Sequence, residues 1–203
     1  MPLTLTVYLD YKSPYAYLAL QPTRDMVADL GVEIDWLPYS LKIENFLGAV
    51  ESRNPHQWRR VKYSYMDARR LANARGLVVR GPKKLFDSTI AHTGMLFMKT
   101  ARPEGLERYH DLIFEGFFKR ELDIEVLRDV ERAIDGAGGD PVAFNAFLTG
   151  PGRAMLDRTL QDAEDRLGVF GVPTYVIGEE IFWGGDRLPQ VRAALEAALA
   201  ASA

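Results

Sequence analysis

Val7-Tyr-Leu-Asp-Tyr-Lys-Ser13-Pro14-Tyr-Ala-Tyr-Leu18 is the stretch on which the reading of this chain turns, because a strand-like run gives way there to a helical one. Leu3 to Leu9 alternate and are rich in Leu, Thr, Val and Tyr, residues that favour a pleated strand. Ser13 followed by Pro14 is a helix start. Serine caps by accepting a bond from an early backbone N–H, and proline is tolerated at the first helical position. Backbone N–H groups without helical partners therefore converge near Ser13, where the positive end of the helix dipole also favours an anion: a carboxylate, a phosphate or a thiolate. Read locally, Ser13 need be no more than a cap.

Outward from this junction, Tyr15 to Leu30 carries apolar residues at helical intervals and Gly31 supplies a C-cap. Val32-Glu-Ile-Asp-Trp-Leu37 alternates as a strand and stops at Pro38. A strand, a helix and a strand in so short a span predict a right-handed parallel unit. Beyond about Leu41 the strand signal vanishes and helix signals recur. Helices are expected over Ile43–Val50 and Pro55–Arg75, the latter ending at Gly76. Asp87-Ser88 opens another through Lys99, and Pro103 opens one through Phe118. Asp123 is expected to cap Ile124–Asp135, and Asp140-Pro141 starts a short helix that Gly150-Pro151 separates from a last segment through Leu167. Strands return at Thr174-Tyr-Val-Ile177 and Ile181-Phe-Trp183, joined by a turn at Gly178, and an alanine-rich helix runs from Asp186 to Ala201 with Pro189 in its first turn. The order β-α-β, helical block, β-β-α predicts that the two ends meet, since neither half could bury its sheet alone.

The 203 residues are 47% hydrophobic and 26% charged, as expected of one globular unit or one domain with a large insertion. The first residues lack a basic region followed by a long apolar segment, and no run is long enough to span a bilayer, which reads as cytoplasmic. There is no cysteine, so the chain offers neither a dithiol nor a thiolate nucleophile. Any sulfur chemistry must use a sulfur brought by a ligand. Net charge is −3, yet Arg53 to Lys84 holds ten Lys or Arg against the single acid Asp67. Such a segment is either a solvated helix face or an electropositive rim for anionic ligands. His56, His92 and His110 have no metal-ligand spacing; they read as ordinary surface or helix residues, and no metal is expected.

Asp10-x-x-Ser13-Pro14-Tyr-x-Tyr-Leu18 resembles the start of the 2-hydroxychromene-2-carboxylate isomerases and kappa-class glutathione transferases, in the DsbA-like branch of the thioredoxin superfamily. Val169-Phe-Gly-Val-Pro173-Thr-Tyr-Val and Glu180-Ile-Phe-Trp183-Gly-Gly-Asp186-Arg-Leu188, near the other end, resemble the same family. Around Asn54 and from Tyr63 to Gly76 the match is weaker. The resemblance implies an α/β, DsbA-like thioredoxin fold with a mixed sheet, in which residues 1–40 and 168–203 form the thioredoxin-like domain and residues 41–167 the helical insertion. It further implies a cis bond between Val172 and Pro173, with the Val172 backbone turned toward the Ser13 site to pair with an extended peptide such as glutathione. Trp183, Gly184, Gly185 and Asp186 would grip the γ-glutamyl end, Asp186 pairing with its ammonium; locally, Asp186 reads equally as a helix cap. Relatives often carry Asn at the place of Gly185.

By the same resemblance, Ser13 hydrogen-bonds the glutathione sulfur instead of attacking substrate. The activated sulfur adds reversibly to the conjugated substrate, the hemiketal opens, the former double bond rotates, and loss of the thiol gives trans-o-hydroxybenzylidenepyruvate, with glutathione as cofactor. Asn54 and Pro55 fall where the family contacts substrate, and Phe86 stands near a family tyrosine, so a phenolic contact is lost there. Lys42 is a candidate partner for the substrate carboxylate, although the family's lysine aligns with it only through a gap; alternatively it is a surface residue. Tyr11, Tyr15 and Tyr17 flank Ser13 as candidate pocket walls. Related proteins are commonly homodimers. The rival readings are a kappa-like glutathione transferase and a non-catalytic protein that binds nucleic acid through the basic segment, with Trp58, Tyr63 and Tyr65 for stacking.

Overall fold

The computed structural model describes residues 3–47 and 50–202. Its strands are β1 (Thr4–Leu9), β2 (Glu33–Pro38), β3 (Thr174–Ile177) and β4 (Glu180–Trp183), in the order β2-β1-β3-β4. β1 and β2 are parallel, whereas β3 runs antiparallel to both β1 and β4. The parallel pair is joined by α1 (Pro14–Leu30), as the strand-helix-strand pattern predicts. Ser13 caps this helix by accepting from the Ala16 N–H at 3.2 Å, and Gly31 closes it.

The remaining helices are α2 (Ile43–Leu47), α3 (Pro55–Asn73), α4 (Thr89–Ala101), α5 (Leu106–Lys119), α6 (Leu127–Gly136), α7 (Pro141–Phe147), α8 (Arg153–Asp165) and α9 (Leu188–Ser202). Among the described residues none is long and apolar enough to cross a membrane. Several boundaries differ from the sequence reading. The helix expected over Ile43–Val50 stops at Leu47, Gly48 and Ala49 lie outside the described residues, and a 3₁₀ turn spans Val50–Ser52. Asp123 does not start α6: its carboxylate accepts from the Glu125 N–H at 2.9 Å and so closes a local turn, and the helix begins at Leu127. At Gly150 the backbone leaves helical geometry (φ −105°, ψ −114°), giving the break expected between α7 and α8. The last helix starts later than Asp186, after a 3₁₀ turn over Gly185–Arg187.

One continuous buried cluster joins the sheet to the helical block. Tyr17 of α1 stacks on Phe114 and Phe118 of α5, with ring centroids 5.3 Å from each. Truncating an aromatic ring of this kind typically costs about 3–5 kcal/mol, so this face of α1 is a main anchor of the helical block. α1 also packs against α3 and α9. Within α1, Pro22 has no N–H to offer the carbonyl four residues back, that of Leu18. Arg75, just beyond α3, donates to that carbonyl instead, at 2.5 Å.

The registers fix where the chain's two ends meet. Tyr8 pairs with Thr174, and Thr174 with Trp183. The loop leaving β1 toward Ser13, the segment entering β3 and the segment leaving β4 therefore emerge at one end of the sheet.

Candidate active site

At that end the Val172–Pro173 peptide is cis. The Pro173 carbonyl accepts from the Gly184 N–H at 2.9 Å, while the Val172 N–H and C=O make no hydrogen bond among the described residues. Gly184 has φ 111°, a region that an L side chain rarely enters. A Cβ on Gly171 would lie 2.4 Å from the Trp183 indole nitrogen, so glycine there lets the Trp183 ring lie against the backbone, where it also meets Phe170 at 4.8 Å between centroids.

A groove of about 890 Å³ opens beside these residues. Val172, Pro173 and Trp183 to Arg187 form one wall; Tyr15, Leu18 and Ala19 of α1 with Asp67, Leu71 and Arg75 form the other. The second wall is tied together within itself, because the Tyr15 hydroxyl donates to Asp67 at 3.0 Å and Arg75 holds Leu18. Burial and Asp67 both push the Tyr15 phenol above its ordinary pKa, so it stays protonated. Asp186 pairs with Arg187 at 2.5 Å, which lowers the Asp186 pKa. Thus the groove presents an unpaired peptide group, two carboxylates and two guanidiniums, a surface suited to an extended zwitterionic ligand.

Ser13, the cap of α1, is buried and is not among the residues that line the groove. Its oxygen accepts from Ala16, and its proton has no acceptor among the described residues. Its own N–H bonds the Asp10 carbonyl at 2.9 Å. Asp10, fully buried, organises the loop: its carboxylate accepts from Ser88 Oγ at 2.6 Å, Leu41 N at 2.8 Å and Lys12 N at 3.2 Å. Lys12 Nζ and His92 Nε2 each lie 3.3 Å from it, the imidazole within ion-pair distance but without hydrogen-bond alignment. Burial opposes ionisation of Asp10, yet the neighbouring His92 imidazole, the Lys12 ammonium and the Ser88 hydroxyl outweigh it and hold the carboxyl well below the usual carboxylate range.

The histidines are surface or helix residues as read, with His56 exposed and His92 and His110 on α4 and α5, but the latter two are interior. His92 is fully buried, with Nδ1 3.1 Å from Ser40 Oγ. His110 is buried too: its Nδ1 shares a 2.9 Å hydrogen bond with Tyr11 Oη, and burial drives its pKa well down. Both sit on apolar helix faces, and periodicity does not distinguish a buried imidazole from an exposed one. Tyr11 and Tyr17 are core; of the three tyrosines flanking Ser13, Tyr15 alone lines the groove. Among the described residues no acidic, His or Cys group could hold a metal.

The residues expected to meet substrate lie outside the groove's lining. Asn54 caps α3, its side-chain oxygen accepting from His56 and Gln57 N–H at 2.9 Å each, which leaves its amide donors; Pro55 is the first helical residue. Phe86 packs edge-on against Phe117 at 5.0 Å and lines a separate hollow of about 230 Å³ with Arg80, Lys83 and Arg120. Lys42 is half-exposed and pairs with Glu164 at 2.6 Å.

A family model described as a DSBA-like thioredoxin domain matches residues 4–196. The chain is 27% identical over 192 residues to the 2-hydroxychromene-2-carboxylate isomerase of Pseudomonas putida, covering 93% of this chain and 92% of the relative. It is 26% identical to the isomerase of the same name from Pseudomonas sp. (strain C18), over 89% of this chain and 84% of the relative. Among solved structures, a 2-hydroxychromene-2-carboxylate isomerase superposes with TM-score 0.80 at 24% identity, covering 97% of this chain and 96% of that one. The cytosolic disulfide reductase DsbM from Pseudomonas aeruginosa, solved with GSH, superposes with TM-score 0.63 at 21% identity, covering 97% and 99%. The sheet order, the helical block between β2 and β3 and the match over nearly the whole chain agree, and the chain belongs to the DSBA-like thioredoxin domain family.

Proposed function

We propose that this chain is a glutathione-dependent isomerase that interconverts 2-hydroxychromene-2-carboxylate and trans-o-hydroxybenzylidenepyruvate. The observation that carries the reading is the groove past the unpaired Val172 peptide in a sequence without cysteine, a place for a peptide thiol in a family whose fold serves sulfur chemistry. The isomerase relatives supply the reaction class. The same reading places the protein in the cytoplasm, where reduced glutathione is held.

The groove's donor set fits glutathione. Val172 would pair with the main chain of its cysteinyl residue, Pro173 and Trp183 would flank it, and Gly184, Gly185 and Asp186 would hold the γ-glutamyl end. When bound, glutathione supplies a thiol that adds reversibly to the conjugated substrate and leaves unchanged. Ser13 is the catalytic residue in this reading. A free thiol has a pKa of about 8.5, and the Ser13 proton, with the start of α1 behind it, favours the ionised sulfur. Asn54, Pro55 and Phe86 would face the substrate, and Lys42 could serve its carboxylate only by leaving Glu164.

Incubation with 2-hydroxychromene-2-carboxylate, with and without glutathione, tests the proposal by absorbance. Approach to an isomer equilibrium that requires glutathione supports it. A stable glutathione conjugate would assign a transferase instead, and a spectrum indifferent to glutathione would overturn the reading.

A further inference from the structure

We infer that Lys12 is the cation that receives the substrate carboxylate. The inference rests on the proposed isomerase reading and adds to it the residue that immediately precedes Ser13. A carboxylate entering a partly buried site needs a cation whose donors are not already committed. Most basic side chains near the site are committed: Lys42 to Glu164, Lys84 to Glu125, Arg187 to Asp186, Arg75 to the Leu18 carbonyl and Arg120 to the Gly81 carbonyl. Lys12 differs. Its side chain is 12% exposed, and its single partner among the described residues is Asp10, at 3.3 Å. An ammonium has three donors, so two remain.

Position supports the assignment. Lys12 immediately precedes Ser13 in a loop that Asp10 holds from within. The ammonium approaches Asp10 through Oδ2, the oxygen that also accepts from Leu41 N, while Oδ1 accepts from Ser88. Asp87 lies within its field. Lys12 thus shares the loop of the hydroxyl proposed to meet the sulfur, and its charge reaches the residue that follows the ring proposed to meet the substrate. Asp10 has fixed donors from Leu41, Ser88 and the Lys12 backbone besides, so it anchors the lysine without depending on it.

Cinnamate and cinnamamide, an inert aromatic carboxylate and its neutral amide, provide the test, with binding measured calorimetrically to the wild-type chain and to Lys12→Met and Lys12→Arg. Lys12→Met should lose about tenfold or more in cinnamate affinity, the scale of one charge-assisted contact, with cinnamamide affinity unchanged. Lys12→Arg should keep most of the cinnamate affinity. Equal cinnamate binding by wild type and Lys12→Met would overturn the inference, and so would equal losses for both ligands, which mark a structural role. Should Lys12→Met not fold, Lys12→Arg and Lys12→Gln decide by the same difference. Turnover of the wild type with glutathione reports separately on the isomerase reading, since the carboxylate preference is read without any reaction.

Discussion

Arg75 donates to the Leu18 carbonyl at 2.5 Å, occupying the acceptor that Pro22 leaves without its helical N–H. The bond closes a gap in α1 and pins one wall of the groove to the segment that ends α3. Arg75→Met should therefore cost about 1–3 kcal/mol, the scale of leaving a sheltered carbonyl unpaired. In a Pro22→Ala background the restored N–H should take over, and the same substitution should cost less than half as much. Denaturant unfolding of the four proteins measures the coupling; equal costs in both backgrounds would show that the guanidinium does not serve that carbonyl.

Ser13→Ala separates the cap from the chemistry. Loss of the bond to Ala16 should lower stability by about 1 kcal/mol, while glutathione, held by contacts elsewhere, should still bind. Turnover should fall about 10²-fold, as when a single preorganised donor is removed from a site. Unchanged turnover would take Ser13 out of the mechanism.

Gly171→Ala places a methyl group where the Trp183 indole lies. Since Trp183 is half-exposed, the ring should swing away at a cost of about 1 kcal/mol, the low end of overpacking penalties. Glutathione affinity should drop while the fold persists. Tryptophan fluorescence and calorimetric binding would report the two effects, and a variant that binds glutathione normally would remove Trp183 from the groove's working wall.

Two buried groups set separate acid limits on stability. His110 has a native pKa well below its ordinary value, so below about pH 6.5 the unfolded chain takes up a proton that the native state refuses, and stability declines. Asp10 is also lowered, so its stabilisation is complete above the unfolded carboxylate value of about 3.9 and drains as pH falls further. His110→Gln should flatten the upper window and leave the lower one. Asp10→Asn should flatten the lower one while destabilising the chain at neutral pH by about 3–5 kcal/mol, as expected when one member of a buried charged cluster is removed. Urea melts between pH 7 and pH 3 would reveal both, and an unchanged upper slope in His110→Gln would refute the first assignment.

By itself the sequence determined the junctions: the Ser13-Pro14 helix start, the alternating strands at both ends, the run of helices between them with its Asp140-Pro141 start, and the absence of any thiol. Those features depend on spacing along a few residues, and spacing is what a sequence displays. The boundary at Asp123 is not legible in the sequence because an aspartate that closes a turn and one that caps a helix offer the same oxygen to a nearby N–H. Tertiary structure alone decided that His92 and His110 are interior, that Asp10 gathers Leu41, Ser88 and Lys12 around one carboxylate, and that Arg75 answers a proline 53 positions earlier in the chain. The physical reason is the cost of burying an unpaired polar group, which must be met by whatever donor the packed fold brings within reach, however far away along the chain it lies.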